Sequence, residues 1–443
     1  MSKQLLSVGL DVGTTSTQLV VSELTVENRA GSFAVPEMEI AHRKIRYKSP
    51  IHFTPLIREE RVDGEKIREI VDAEYEKAGI SKADVDTGAI IITGETSRKE
   101  NARIVLDALS DYAGEFVVAT AGPELESILA AKGAGAAAYS EKTGKTVLHM
   151  DIGGGTSNLA LIKKGNITAT TCLNVGGRLL KIAPEGRLEY VSPVLEGLFS
   201  GSVGDYASRE TVMELARILA QALEMAAGRR ERTDLFEKLR TAELVAEWPP
   251  VPEGTVISFS GGVADCIEKG QPWLAFGDMG PELGRAIRES RLCRGEYVLG
   301  EETIRATVIG AGCHSTQLSG STVFCQNVQL PLKNLTVVES AAELASLDGP
   351  GVLALAGIRS PGYGQVAALA AKLTADFGQR PVFLALQEDM AKALGQQIAL
   401  RLGADARILC IDRVRLKAGD YLDVGIPVGP ALPVVVKTLI LSK

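Results

Sequence analysis

Two aspartates at matching places in the chain are the first candidates for chemistry. Asp11 ends the apolar run LLSVGLD and Asp151 ends TVLHMD; each is followed by a turn of glycines and hydroxyl residues, DVGTTS and DIGGGTS. A glycine-rich turn leaves backbone N–H groups bare, and concave groups of such donors bind phosphate oxygens. Gly13 permits close approach in the first turn, and Thr14, Thr15 and Ser16 add hydroxyl donors. Gly153, Gly154 and Gly155 leave the second turn without side chains, next to Thr156. Two carboxylates beside a polyphosphate suit Mg²⁺, which keeps several waters and takes few direct protein ligands. A nucleoside triphosphate held between two domains is the simplest ligand to satisfy both turns.

Either turn alone would be an ordinary hairpin. Their recurrence carries the argument: LLSVGLDVGTTSTQLVVSEL and TVLHMDIGGGTSNLALIKKG share one pattern, 140 positions apart, down to the Gln-Leu and Asn-Leu that open the returning strand. Two copies in register predict two homologous domains facing each other across a cleft. A third glycine element follows: TVISFSGG (255–262) reads as a strand that delivers Gly261 and Gly262 to a helix start, where bare backbone admits an adenosine.

The elements that must position these turns follow from periodicity. AIIITGE (89–95), FVVATAG (116–122) and NITATTCLNVGG read as strands. SRKENARIVLDALSDYAG reads as an amphipathic helix, and Pro123 opens another over 123–138 at the position where proline is tolerated. Residues 208–228 form a helix with Met213, Leu215, Ile218, Leu219 and Leu223 on one face, and 303–319 a further helix containing glycines. The prolines of WPPVPEG (248–254) mark an exposed connection. From residue 331 the short strands GVLALAG, PVFLALQ and ARILCID alternate with helical stretches, which is βαβ patterning. The expected fold is therefore α/β, with domains at 1–145 and 146–330 and a C-terminal α/β unit or elaboration of the second domain at 331–443.

Composition narrows the function classes. Forty-eight Lys and Arg against 55 Asp and Glu give a net charge of −7, which excludes nucleic-acid binding by bulk charge. The 46 glycines are about 10% of the chain, above the usual ~7%. Six scattered cysteines and four histidines show neither a disulfide framework nor metal-ligand spacing. No run approaches 18 apolar residues and the N-terminus lacks signal-peptide character, so a soluble, cytoplasmic protein without a membrane partner is expected. The basic stretch HRKIRYKSPIH (42–52) reads as a solvated strand face, with a partner contact as the sharper alternative.

Together LDVGTTSTQLV, MDIGGGTSNLALI and ISFSGGVAD resemble the phosphate-1, phosphate-2 and adenosine elements of the actin/heat-shock-chaperone/sugar-kinase ATPase superfamily. More narrowly, TGETSRKENAR, AGPELESILAAKGAG and IGAGCHSTQLSG resemble the reactivating proteins of ethanolamine ammonia-lyase, over essentially the whole chain. The resemblance implies two duplicated actin-like (ribonuclease H-like) ATPase domains flanking a nucleotide cleft. It also implies a chaperone-like, ATP-dependent exchange of damaged cobalamin for intact adenosylcobalamin on that lyase. Asp11 and Asp151 match the Mg²⁺-organising aspartates; Thr14, Thr15, Gly153, Gly154, Gly155 and Thr156 match the phosphate clamps, and Gly261 and Gly262 the adenosine contact. A homodimer and association with a bacterial microcompartment stay open within that picture.

One position departs from the chaperone pattern. The glutamate expected before the proline of the first connecting helix is replaced by Gly122; the nearest carboxylates are Glu124 and Glu126, and Glu124 is the candidate to position the attacking water. Both also suit a helix N-terminus as favourable charges. Two other readings remain: a small-molecule (sugar or alcohol) kinase, which needs a carboxylate base and for which no matching aspartate motif occurs between residues 25 and 140, and an actin-like assembly ATPase. No G-x-x-x-x-G-K-[ST] loop and no Asp-x-His-x-x-Gly cobalamin motif occurs, and the glycines of GPGVLA precede their strand instead of following it.

Overall fold

The computed structural model describes residues 3–438 apart from 14–15, 29, 31–37, 59–60, 94–104, 106–108, 110–111, 113–117, 121–122, 242–246, 315, 321, 348, 378–379, 419 and 428–429. In the first sheet, β1 (Lys3–Val12), β2 (Ser16–Asn28), β3 (Met38–Lys48), β4 (Thr87–Ile92) and β5 (Val118–Thr120) lie in the order β3-β2-β1-β4-β5. The first three run antiparallel and β1, β4 and β5 parallel. In the second, β6 (Val147–Ile152), β7 (Ser157–Lys163), β8 (Asn166–Leu173), β9 (Val256–Ser260) and β10 (Tyr297–Leu299) repeat that order and those directions as β8-β7-β6-β9-β10. Register repeats as well: Val12 pairs with Thr17 and Ile152 with Ser157. The duplication read from the two turns is thus a duplication of whole sheets.

Each sheet buries one face under helices whose ends the sequence specifies. α1 (Gly64–Ala78) is capped by the Asp63 carboxylate, which accepts from the Lys66 N–H, and stops at Gly79 with φ of 67°. It lays Ile67, Val71 and Tyr75 against Val8, Leu10 and Ile90. In the second domain α4 (Arg209–Ala226) starts at Ser208, whose hydroxyl accepts from the Thr211 N–H, and buries Leu215, Leu219 and Leu223. Trp248 is an exception to the exposed connection expected over 248–254: its ring is buried and its indole N–H donates to the Ala226 carbonyl at 2.8 Å. The amphipathic helix expected over 97–114 falls mostly outside the described residues.

Between the two sheets cross α2 (Pro123–Gly133) and α7 (Ala306–His314). They meet backbone to backbone, because a Cβ on Gly133 would run into the Ala306 carbonyl and one on Gly310 into that of Leu129. Gly9 of β1 is pressed against the Val308 carbonyl in the same way. The expected helix over 303–319 is shorter than its pattern suggested. It ends at His314, and β11 (Thr316–Leu318) pairs instead with β18 (Pro433–Thr438), the β-branched Thr316 facing Val435. The helix over 123–138 likewise breaks at Gly135, φ 78°, before α3 (Ala136–Thr143).

The third sheet has eight strands: with β12 (Phe324–Gln326), β13 (Leu332–Val338), β14 (Gly351–Leu355), β15 (Val382–Leu386), β16 (Ile408–Ile411) and β17 (Asp420–Val424), its order is β11-β18-β17-β13-β14-β15-β16-β12. β13 to β16 are parallel, and α8 (Tyr363–Phe377) and α9 (Ala391–Leu402) supply the βαβ crossovers that parallel strands require. β11 fastens this sheet to the first domain: the Thr316 and Thr87 hydroxyls are 2.7 Å apart, and Leu318 packs on Leu5, Leu24 and Ile40.

The glycine crossing sets a stability test. Gly310→Val should lower the melting temperature, at a cost of about 1–3 kcal/mol for overpacking. Gly364→Ala, where a Cβ meets nothing within 4 Å on exposed helix, should hold or slightly raise it. Thermal denaturation of the two variants side by side reads the difference.

Candidate functional site

The strand ends converge on a cavity of about 460 Å³ between the first and second sheets. Asp11, Gly13, Ser16 and Gln18 reach it from the β1–β2 hairpin; Asp151, Gly153, Gly154, Gly155, Thr156 and Asn158 reach it from the β6–β7 hairpin; Gly261 and Gly262 close it from the end of β9. Thr14 and Thr15 lie outside the described residues. Of the two glutamates on the first turn of α2, Glu126 lines the cavity and Glu124, half-buried, is not part of its wall.

The turns have the same closure. Gly13 donates its N–H to the Ser16 carbonyl and Gly153 to the Thr156 carbonyl, both at 2.9 Å. The Gly153 and Gly154 carbonyls are taken by the N–H groups of Gly177 (3.0 Å) and Arg178 (2.6 Å). In a trans peptide the next N–H points the opposite way, so the Gly154 and Gly155 amides face away from that loop. A Cβ on Gly155 would meet no protein atom within 4 Å, so packing does not explain the glycine there, whereas room for a ligand does. Gly261 is required for a different reason: its φ of 87° and its contact with the Ile152 backbone leave no place for a side chain. Its N–H donates to the Thr303 carbonyl at 3.0 Å, and the Val263 N–H to the Ile152 carbonyl at 3.2 Å, which ties the glycine loop to the end of β6.

Both carboxylates are held without an ion-pair partner among the described residues. Asp11 accepts from the Thr93 hydroxyl at 2.8 Å, and Asp151 from the Ser260 hydroxyl and from Thr307 at 3.3 Å. Burial pushes the Asp11 carboxyl up to about 7; the Thr93 hydroxyl pulls it back, and the Asp151 charge adds to the rise. Burial likewise pushes Asp151 up to about 6 against its two hydroxyl donors. The cavity's own cations are engaged elsewhere, Arg178 with Asp278 at 3.2 Å and Lys269 with Asp265 at 3.3 Å.

Cross-strand register sets an amide beside each carboxylate: Gln18 faces Asp11 and Asn158 faces Asp151. The Gln18 amide nitrogen donates to the Ile304 carbonyl at 3.3 Å, which turns its oxygen the other way. Gln18 Oε1 and Asn158 Oδ1 are both buried with no hydrogen-bond partner among the described residues. Two carboxylates and two amide oxygens form a hard-oxygen set, the chemistry that Mg²⁺ and its waters accept. At the mouth, exposed Phe53 from the first domain and Phe276 from the second supply apolar surface.

The sequence pattern had picked out Gln18 and Asn158 only as repeat markers. Thr93, Thr307 and Ser260 carried no signal of their own; each comes from an element distant in the chain. The basic stretch 42–52 lies largely on the exposed edge strand β3.

Duplicated sheets, matched strand-end turns and two helices crossing between them define an α/β protein of the actin-like ATPase fold. Within that class the chain belongs to the family of the ethanolamine utilisation protein EutA, whose family model matches residues 3–350 and 343–442. Two relatives named ethanolamine ammonia-lyase reactivase EutA, from Salmonella typhimurium and Escherichia coli, are 39% and 38% identical, each over 99% of both chains. Among solved structures, the PPX-GPPA enzyme of Aquifex aeolicus is similar at 14% identity with a TM-score of 0.43, over 70% of this chain and 99% of its own. The ethanolamine utilization protein EutJ of Carboxydothermus hydrogenoformans is similar at 18% identity with a TM-score of 0.34, over 69% and 89%. Among the described residues no helix is long and apolar enough to cross a membrane.

The raised carboxyl of Asp11 makes stability of the ligand-free protein pH-dependent. The folded state holds a proton that the unfolded chain, with an ordinary value of 3.8, has lost. Stability from this group is therefore full below about pH 4 and falls as pH rises through about 7. Asp11→Asn removes the buried charge, so its melting temperature should exceed that of the wild type by a few degrees at about pH 8 and match it at about pH 4. A constant difference across that range would contradict the assignment.

Proposed function

We propose that the chain is an ATP-dependent, chaperone-like reactivating factor that acts on adenosylcobalamin-dependent ethanolamine ammonia-lyase and promotes exchange of damaged cobalamin for the intact cofactor. The observation that carries this reading is the meeting of Asp11, Asp151 and the bare glycine turns in one cavity, in a chain whose relatives are named as reactivases of that lyase.

The Gly154 and Gly155 amides and the hydroxyls of Ser16 and Thr156 would hold the phosphates of ATP, and Gly262 and Phe276 would face its base. Asp11 and Asp151, with the amide oxygens of Gln18 and Asn158, would hold Mg²⁺ and its waters. Bound there, the ion supplies the positive charge that offsets the phosphate oxygens during transfer to water. Glu126 is the carboxylate on the cavity wall that accepts the proton of the attacking water, with Glu124 behind it on the same turn. Because the two turns belong to different domains, a γ-phosphate bridging them favours the closed cleft, and its loss releases that contact. A partner that binds the two states unequally is then driven between them. The lyase is that partner, in the cytoplasm or in a microcompartment that houses it.

Cyanocobalamin-blocked ethanolamine ammonia-lyase, mixed with the protein, ATP, Mg²⁺ and free adenosylcobalamin, should regain deamination. Asp151→Asn should abolish both this recovery and Mg²⁺-dependent ATP hydrolysis while keeping the fold. Unchanged hydrolysis in that variant would remove the cleft assignment. Absence of recovery, with phosphorylation of a sugar or alcohol by the wild-type protein, would replace the reactivase with a kinase.

A further inference from the structure

Behind Asp151 runs a chain of buried polar side chains that the cleft chemistry does not by itself require. His149 and Asp151 point to one face of β6, and Ser258 and Ser260 to the same face of the parallel neighbour β9, with His149 beside Ser258 and Asp151 beside Ser260 in register. His149 Nδ1 is 3.0 Å from the Ser258 hydroxyl and Nε2 is 2.9 Å from that of Ser260, which reaches Asp151 Oδ1. All four residues are at least nine-tenths buried.

Donor counting fixes the direction of every bond. A serine hydroxyl has one proton and two lone pairs. Ser260 gives its proton to the Asp151 carboxylate, so toward His149 it can only accept. Nε2 therefore carries the ring hydrogen, and Nδ1 accepts the proton of Ser258. Fully buried between two serine hydroxyls, with no carboxylate among the described residues in direct contact, the ring holds a single hydrogen and orients without adding charge. A cation in that place would neutralise Asp151 and weaken its hold on a metal; a neutral dipole chain leaves the full negative charge available. Ser260 also immediately precedes the Gly261–Gly262 turn, so the carboxylate and the glycine loop share one anchor.

We propose that His149 is a positioning residue: by filling the lone pair of Ser260 it locks that hydroxyl onto Asp151 and sets the cation affinity of the nucleotide-loaded cleft. This rests on the cleft reading above. Outer partners of metal-binding groups typically change metal affinity 10–100-fold when removed.

The test is calorimetric titration of Mg²⁺ into the ADP-saturated full-length protein. His149→Leu and Ser260→Ala should each raise the half-saturating Mg²⁺ about tenfold, with the wild-type ADP affinity regained once Mg²⁺ is saturating. The double variant should be no worse than the weaker single one, since both break the same chain. Nitrogen chemical shifts of the wild-type ring should report the Nε2–H tautomer. Should His149→Leu fail to fold, Ser258→Ala retains the ring and removes only the group that fixes its tautomer; it should show a smaller loss in the same direction and some Nδ1–H form. Wild-type Mg²⁺ dependence in Ser260→Ala and in the folded histidine-chain variant, with binding lost in Asp151→Asn, would overturn the positioning role and leave the cleft intact. Wild-type dependence in Asp151→Asn would overturn the cleft reading itself.

Discussion

Two carboxylates from matching strand ends share one buried space, and the cost of keeping their charge out of water is the constraint around which the molecule is arranged. Burial alone disfavours the charged form of each, and the Asp151 charge adds to the cost at Asp11. Among the described residues no lysine or arginine offsets either one. The protein instead supplies hydroxyls, Thr93 on one side and Ser260 and Thr307 on the other, which orient the groups while leaving their charge to be met by something that enters.

The duplication supports this arrangement economically. One sheet order used twice brings an aspartate, a glycine turn and an amide to each side of the cavity at matching register. The copies then diverge where their tasks differ. Only the second turn has three consecutive glycines, and only the second domain adds the Gly261–Gly262 loop. The glycines there are not equivalent: backbone conformation and packing demand Gly261, while only open space surrounds Gly155.

Much of this was legible in the sequence because strand ends and turns are local. The 140-residue repeat gave both aspartates, both turns and the sheet duplication, and the FSGG run gave the third wall. What the sequence concealed came from three sources. Thr93 and Thr307 act on aspartates some 80 to 160 positions away, and nothing local marks them. His149, Ser258 and Ser260 are polar residues inside apolar strands, where alternation normally signals a solvated face and here marks a buried polar seam. The pattern over 303–319 was helical to its end, but pairing with Pro433–Thr438 at the far end of the sequence made residues 316–318 a strand. Tertiary pairing overrode local periodicity.

α7 has different attachments at its two ends. Near its start Thr307 holds Asp151, and Thr303 just before it holds the Gly261 loop; near its end Gly312 accepts from Ser7 and Cys313 meets Ser22. The Ile304 carbonyl accepts from Gln18 and Arg305 donates to the Ser49 carbonyl, so the helix is a shaft gripped from both sheets' sides at its start and from the first alone at its end. Immediately beyond the shaft, β11 carries an eight-stranded sheet bolted to the first domain. A relative rotation of the two sheets would load the start of that helix, where both grips meet, and would carry the eight-stranded sheet along with the first.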